Sequence, residues 1–524
     1  MFKLRSHLLT MIGMLCLLAG RAWAGDFIDT RVTFTLGDDN FLKSAGEQVP
    51  DSPKIGIGDR EGYQLFFDNL NQRTTGRETQ LDLVLFKRMS GILPGLTTEA
   101  AAAVRLNIEE MQVRDPKLNK VMQDDSSYLR LIYAIDRGKR GTKNLDLVLF
   151  PLSGDRFRVG YLYALTWAGA DMFPRRSGPT PGFKLGGNHG FMYWWAGMKM
   201  VRCDTAPAES KDEQELTITT QNLETFYSAL AGVGAQPLSG LSIDLSGAYV
   251  QMGENPVKDV AGKLVTAQGV SARIAYGRGL KVGLSSDVKL LRTDPEFIES
   301  LSLRPKYTPG KVSWSLSGEG NFIAQVLADA DLYGATKRSW ATAAALDARL
   351  QWSYLRVNVT ALYRSLEFIL LNTPSFIPFT AFPADAQVQP EFFAALSADY
   401  HFPRIGLTPG LQAGVEIPAA VKTQLNASVV GSSAPPTLIG EHTIVIRANG
   451  RPDILPEGEG RMPLFSLRAS TQWYASDFLT LMAYAFITYD QNGTILEVNP
   501  DLTRSRVFES PLRFGAGFTA QARF

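Results

Sequence analysis

The chain has 524 residues, with 53 Lys and Arg against 52 Asp and Glu, so no basic surplus marks a nucleic-acid partner. Hydrophobic residues make up 45% and charged residues 20%, too polar a mixture for a bundle of membrane helices. Past the N-terminus no run of about 18 apolar residues occurs, which excludes a transmembrane helix but not a β-barrel, whose strands offer only alternate side chains to lipid.

Residues 1–24 read as a cleaved signal peptide. Lys3 and Arg5 form the positive start, Leu8 to Leu18 the apolar stretch, and Ala22-Trp23-Ala24 the cleavage site. Cys16 follows Leu15, where a lipidation site needs a small residue, so it is not expected to carry lipid. Losing Lys3, Arg5 and Arg21 leaves 50 basic against 52 acidic residues, and leaves Cys203 as the one cysteine, so no intrachain disulfide forms. The remainder, 25–524, is expected to be one domain.

That domain begins in a strand. Ile28, Thr30, Val32, Phe34 and Leu36 alternate with Asp29, Arg31, Thr33 and Thr35, a period of two that puts one set on each face. Its early start leaves no room for a plug domain ahead of it. A long polar insertion from Gly37 to Glu78 leads to a hairpin. Leu81, Leu83 and Leu85 alternate with Gln80, Asp82, Val84 and Phe86, and the return arm sets Ala100, Ala102, Val104 and Leu106 against Glu99, Arg105 and Asn107. Similar arms follow at Tyr128 to Asp136 and at Arg156 to Trp167, the second with aromatics near both ends, as at a membrane interface. Gly169 to Asn188 reads as a loop, and the facing of His189 to Arg202 is ambiguous.

The middle of the chain alternates most regularly. Leu241, Ile243 and Leu245 oppose Ser242, Asp244 and Ser246; Val270, Ala272, Ile274 and Tyr276 oppose Ser271, Arg273 and Ala275. A further arm is expected from Leu280 to Leu290, with Lys281 and Asp287 on its polar face. Val312, Trp314 and Leu316 oppose Ser313, Ser315, Ser317 and Glu319, and two arms between Leu346 and Arg364 repeat the pattern. Leu366 to Pro383 breaks it: Pro374, Pro378 and Pro383 forbid a regular strand, and Phe368, Phe376, Phe379 and Phe382 would be costly to expose together. This stretch is expected to form a constriction in a barrel mouth, to dock on a partner, or to pack on neighbouring loops. Val421 to Arg461 reads as a polar outer loop. The last stretch, LRFGAGFTAQARF, alternates from Leu512 to Phe524 and stops on an aromatic residue.

An apolar edge strand ending a soluble protein invites aggregation, whereas a closed barrel has no edge and needs that face for lipid. A soluble β-sandwich also alternates, but neither the number of arms nor the terminal aromatic suits it. The signal peptide and the last strand together resemble those of Gram-negative outer-membrane β-barrels, in which a terminal Phe is read by the barrel-assembly machinery; Ala522 departs from that pattern, which often has an aromatic there. FRVGYLYALTWAG and PSFIPFTAFP also resemble large barrels of myxobacteria.

The expected fold is all-β: a single antiparallel transmembrane barrel of about 20 strands, between 18 and 22, with short periplasmic turns and long extracellular loops. Its polar face would line a lumen with Arg31, Asp82, Arg105, Arg130, Arg158, Asp244, Arg273, Lys281, Asp287, Glu319, Asp347, Arg349, Arg356, Arg364 and Arg513. Basic groups lead modestly in that set, which would give a mild anion preference unless the charges neutralise one another. Only His189, His401 and His442 remain after cleavage, none in a catalytic motif, and no phosphate loop, metal spacing or dinucleotide fingerprint occurs. The chain is therefore expected to be no enzyme and to hold no cofactor or metal. The leading expectation is a porin-like channel for passive diffusion of small hydrophilic solutes. Alternatives are a structural or adhesion platform with an occluded lumen, bound to an envelope protein, and a transporter of hydrophobic substrates. Expected partners are outer-membrane lipid, lipopolysaccharide and the assembly machinery, and no nucleic acid.

Overall fold

The computed structural model describes residues 29–38, 40, 77–90, 93–108, 111, 121–124, 127–136, 143–152, 157–162, 165–169, 172, 180–204, 208–211, 217–220, 223–255, 260–280, 307–372, 380–425, 440–446, 452–498 and 504–523. The signal peptide, Lys281, Asp287, Phe376, Phe379 and Phe524 lie outside them. The side chains of Arg31 and Asp82 are likewise outside the description.

Most arms with clean alternation fold as strands. In chain order these are β1 (Asp29–Asp38), β2 (Arg77–Ser90), β3 (Leu96–Asn107), β4 (Tyr128–Ala134), β5 (Lys143–Phe150) and β6 (Gly182–His189). Next come β7 (Met192–Asp204), β8 (Leu223–Leu238), β9 (Leu241–Glu254), β10 (Leu264–Arg278), β11 (Val312–Ala328) and β12 (Thr336–Trp352). The last six are β13 (Leu355–Arg364), β14 (Glu391–Tyr400), β15 (Leu407–Ile417), β16 (Leu464–Tyr474), β17 (Leu479–Tyr489) and β18 (Leu512–Arg523). Each pairs antiparallel with its sequence neighbours. The ring closes where β1 meets β18, from Arg31 opposite Arg523 to Asp38 opposite Ala516. The barrel therefore has 18 strands, the low end of the expected range. Met122–Asp124 also joins the sheet, but it only continues the line of β4 along β3 after a break.

Three sequence expectations need correction or relocation. Residues 156–167 are no barrel strand: β5 pairs directly with β6, and the connection between them has a separate fate described below. The arm expected at Leu280 to Leu290 falls largely outside the described residues, and the ring passes straight from β10 to β11. Gly169 to Asn188, expected as a loop, ends in strand β6, which forms a ladder with β5 and β7. The stretch of ambiguous facing, His189 to Arg202, is the turn at Gly190 and most of β7, with Trp195 inward and Trp194 outward.

An even strand number puts both ends of the barrel domain at one rim. Several turns at that rim are tight, among them 190–191, 239–240 and 353–354, with Gly190 and Gly240 in the left-handed region such turns require. The long connection 279–311 between β10 and β11 is also at that rim, and the other rim carries most of the remaining long connections. There a six-residue helix, α1 (Leu366–Leu371), is capped by the Ser365 hydroxyl. A four-stranded sheet stands at the same rim, formed by Gln387–Gln389, Ala419–Leu425, Gly440–Ile446 and Pro452–Ile454. Leu366, Ile369 and Leu370 of α1 pack on Ala419, Val421 and Ile446 of that sheet. Arg461 fastens the same region by donating to the carbonyls of Pro390 and Pro418.

The outside of the ring is apolar. Ile243, Leu245, Val270, Ile274, Leu316, Leu346 and Leu396 are all exposed, while their strand neighbours Ser242, Asp244, Ser271, Arg273, Asp347 and Ser397 are buried inside. Aromatic residues gather at the two ends of this belt. Tyr276 and Trp314 meet edge to face at 5.5 Å near the rim of tight turns, and Phe322 and Trp340 stack at 4.6 Å toward the other. Such a belt between two aromatic girdles matches a bilayer, with hydrocarbon against the aliphatic middle and headgroups against the ring edges. At the rim of tight turns His401 stacks on Tyr307 at 4.6 Å, and burial and then the Arg356 charge hold its pKa below the ordinary value. His401 thus stays neutral at pH 7. Unfolded chain binds the proton more readily, so this site loses stability as pH falls below about 6.5.

The facing assignment makes a direct prediction. Leu346→Arg, on the lipid face, should cost about 2–4 kcal/mol in reversible unfolding from bilayers, whereas Ser317→Lys, inside and opposite Asp347, should change stability by less than about 1 kcal/mol.

Candidate functional site: a lumen crossed by an inward connection

The connection between β5 and β6 does not stay outside the barrel. Phe157, Val159, Leu165, Trp167 and Met172 have no exposed surface, and they join inward residues of the wall, including Val84, Phe150, Trp195, Val201, Phe226 and Ile323, in one apolar cluster. The tip is closed on itself by a two-residue bridge between Val159 and Trp167 and by the Leu165 amide donating to the Leu162 carbonyl. Gly160 turns it with φ +100, in the left-handed region; a Cβ there would also lie 3.1 Å from the Glu319 carboxylate.

Polar wall residues pin the tip. The Glu319 carboxylate of β11 accepts from the amides of Tyr161 at 2.7 Å and Leu162 at 2.6 Å. From β11 also, the Asn321 amide donates to the Leu165 carbonyl at 2.6 Å; from β10, Ser271 accepts from the Trp167 indole at 2.9 Å. The Arg273 guanidinium lies 3.3 Å over the Tyr161 ring and pairs with Asp244 at 3.3 Å, and Asp244 also accepts from Tyr193. On β7 the Lys199 ammonium donates to the carbonyls of Phe157 and Ala168. A buried charge without such partners would be costly, so these groups hold the tip in place as much as the tip satisfies them. Glu319 and Arg273 sit mid-strand, so the crossing lies at the waist of the barrel.

The rest of the inner wall carries charge in pairs. Arg130 meets Asp146 at 2.9 Å and Glu99 at 3.8 Å; Arg349 meets Asp347 at 2.8 Å; Arg356 meets Asp399 at 2.9 Å; Arg364 meets Glu391 at 2.7 Å; Arg513 meets Glu509 at 3.5 Å. Arg105 is buried on the inner face of β3, and Arg158 is buried on the crossing connection, not on a strand. The described members of the expected lumen set therefore all point inward, and six of its arginines are each matched by a carboxylate.

Of Leu366 to Pro383, expected as a constriction, a partner dock or a loop packed on its neighbours, the structure describes the two ends. Phe368 is buried in the interior cluster at the upper rim, and Phe382 packs against the α1 cluster. The waist is instead crossed by the β5–β6 connection. Sequence reading missed this because FRVGYLYALTW alternates as well as any strand. The signal that could have revealed it is Gly160, which weakens a strand interior and marks a bend or a close backbone approach.

No family model and no curated protein matches the chain. Solved structures with a similar trace are outer-membrane proteins. OpdQ of Pseudomonas aeruginosa is 9% identical, covering 95% of this chain and 96% of its own, with TM-score 0.40. OpdK of the same organism, solved with vanillate, is 8% identical over 95% and 98%, with TM-score 0.41. OmpF of Salmonella typhi, solved with daunomycin, is 10% identical over 95% and 98%, with TM-score 0.37.

Glu319→Ala should free the tip while leaving the ring intact. The variant should keep the heat-modifiable gel mobility of a folded barrel yet become cleavable by protease within 157–172, whereas the parent resists.

Proposed function

We propose that the protein is an outer-membrane channel for passive diffusion of small hydrophilic solutes, narrowed at its waist by the β5–β6 connection. The observation that carries this reading is the combination of an apolar, aromatic-girdled outside with a polar, charged inside in a ring of 18 strands. A ring of this size is wide enough for water unless side chains and loops fill it. The inward connection is pinned to the side formed by β7 to β11. On the opposite side, inward residues of β16 and β17 such as Arg468, Tyr484 and Phe486 remain partly exposed, and the passage runs along them. The bilayer lipid and lipopolysaccharide are the surroundings that the belt fits, and insertion would use the barrel-assembly machinery through the last strand. None of the chemistry proposed is enzymatic.

The paired charges bear on selectivity. A carboxylate beside each of six lumenal arginines leaves little net field for a permeant ion to feel, so the channel should discriminate weakly between cations and anions. A second reading, a platform with an occluded lumen, draws on the apolar interior cluster and on the α1 helix and sheet at the upper rim.

Single-channel recording in planar bilayers separates the two. Steady steps on the nanosiemens scale with a reversal potential near zero in a salt gradient are expected, and shortening the connection across 157–169 should enlarge the steps. Folded barrel that never conducts, with or without the connection, would reject the channel.

A further inference from the structure

The side of the lumen left open by the crossing connection holds a flat aromatic surface. Tyr484 and Phe486 lie on the inner face of β17, directly across from Gly517 and Gly515 of β18. Both rings lie down over these glycines. A Cβ on Gly515 would come within 2.6 Å of Phe486 Cε1, and one on Gly517 within 2.7 Å of Tyr484 Cε1. A Cβ on Gly37 of β1 would meet the Tyr484 hydroxyl at 3.1 Å. The absence of side chains at three facing positions thus makes a recess in the wall, and the rings fill it edge to edge, centroids 6.4 Å apart and planes 20° from parallel. From β16 the Arg468 guanidinium lies 4.1 Å over the Tyr484 ring.

A similar pairing on the other side of the barrel does not stay open. Trp195 and Tyr193 of β7 lie over Gly232 and Gly234 of β8. Trp195 is then buried against Phe157, at 5.4 Å edge to face, and Tyr193 is engaged by Asp244. There the inward connection occupies the aromatic surface. Phe486 and Tyr484 keep partial exposure in the waist, mid-strand, roughly opposite the tip.

We propose that the Phe486–Tyr484 surface, with Arg468 laid on it, is a stacking subsite for solutes that present a flat ring, and that it makes the channel favour ring-shaped over open-chain permeants of equal size. An aromatic ring would stack on its π face, and a pyranose would offer its axial C–H groups to the same face; the shared requirement is a flat, weakly hydrated surface. A lumen that otherwise displays paired charges and hydroxyls gives an open-chain polyol no such contact. Arg468 covers the Tyr484 ring as a planar cap, so the surface met by a passing solute is the Phe486 ring continued by the guanidinium plane.

The proposal rests on the channel reading, and the test separates the two. Permeation into liposomes bearing the refolded protein is compared for glucose against sorbitol and for phenylalanine against leucine. Binding of glucose and phenylalanine to the detergent-solubilised barrel is measured in parallel by calorimetry. The parent should show saturable binding of at least one ring-bearing probe and favour it about fivefold over its open-chain counterpart, the size of a single aromatic contact. Phe486→Leu, which still covers Gly515, should abolish that preference without lowering sorbitol entry. Gly515→Ala, which dislodges the ring from the opposite strand, should do the same. Preference for phenylalanine alone identifies an aromatic permeant, and preference for glucose alone a sugar. Entry of all four probes at rates set by size, with no binding, overturns the subsite but leaves the channel. Ring binding lost in Phe486→Leu, in a barrel that admits nothing, supports the subsite and overturns the channel. Ring preference unchanged in both variants overturns the assignment to this surface.

Discussion

Everything in this molecule depends on the hydrogen bonds that join the first strand to the last. β1 and β18 are separated by almost the whole chain, yet their backbones pair over Arg31 to Asp38. In hydrocarbon an unpaired strand edge leaves its amides and carbonyls with no partner, at several kcal/mol each. Closure removes both edges at once. It also fixes which face of every strand meets lipid, because a one-residue slip anywhere would turn charges such as Asp244 and Arg273 outward.

Closure creates an enclosed space, and the chain partly fills it from within. The crossing connection brings Phe157, Val159, Leu165, Trp167 and Met172 against the inner wall, while Glu319, Asn321 and Lys199 satisfy its backbone and Ser271 the Trp167 indole. Charge and apolar packing act together here: the apolar groups gain by leaving the lumenal water, and each pinned carbonyl or amide avoids being stranded. The side of the lumen away from this crossing is where arginines with carboxylate partners and the Phe486–Tyr484 surface remain in reach of solvent.

The fold was legible because its period is two and lipid rewards that period on one face. Among the described residues from β8 onward, the inward and outward residues read from alternation are those found, including Leu245 out with Asp244 in, and Phe514 out with Arg513 in. The crossing was not legible. Its hairpin alternates like its neighbours, and what distinguishes it is contact with Glu319 and Lys199, far away in sequence. The stretch around Phe368 left its packing open for a related reason: prolines and phenylalanines report that a segment is irregular and buried, but not against which partner. The matching of arginines with carboxylates was also hidden, since Arg356 with Asp399 and Arg364 with Glu391 are set by the register of β13 on β14.

The most direct test of this account is to place a reporter on the tip itself. Leu162→Cys, half-buried at the end of the crossing, would be exposed to a membrane-impermeant, charged thiol reagent while current is recorded through a single barrel. Cys203 is buried and serves as the parent's silent background. The account predicts a discrete drop in current on modification of Leu162→Cys and none for the parent or for the lipid-facing Leu346→Cys. Complete modification of Leu162→Cys with no change in an otherwise steady current would contradict it, because the tip would then lie outside the path.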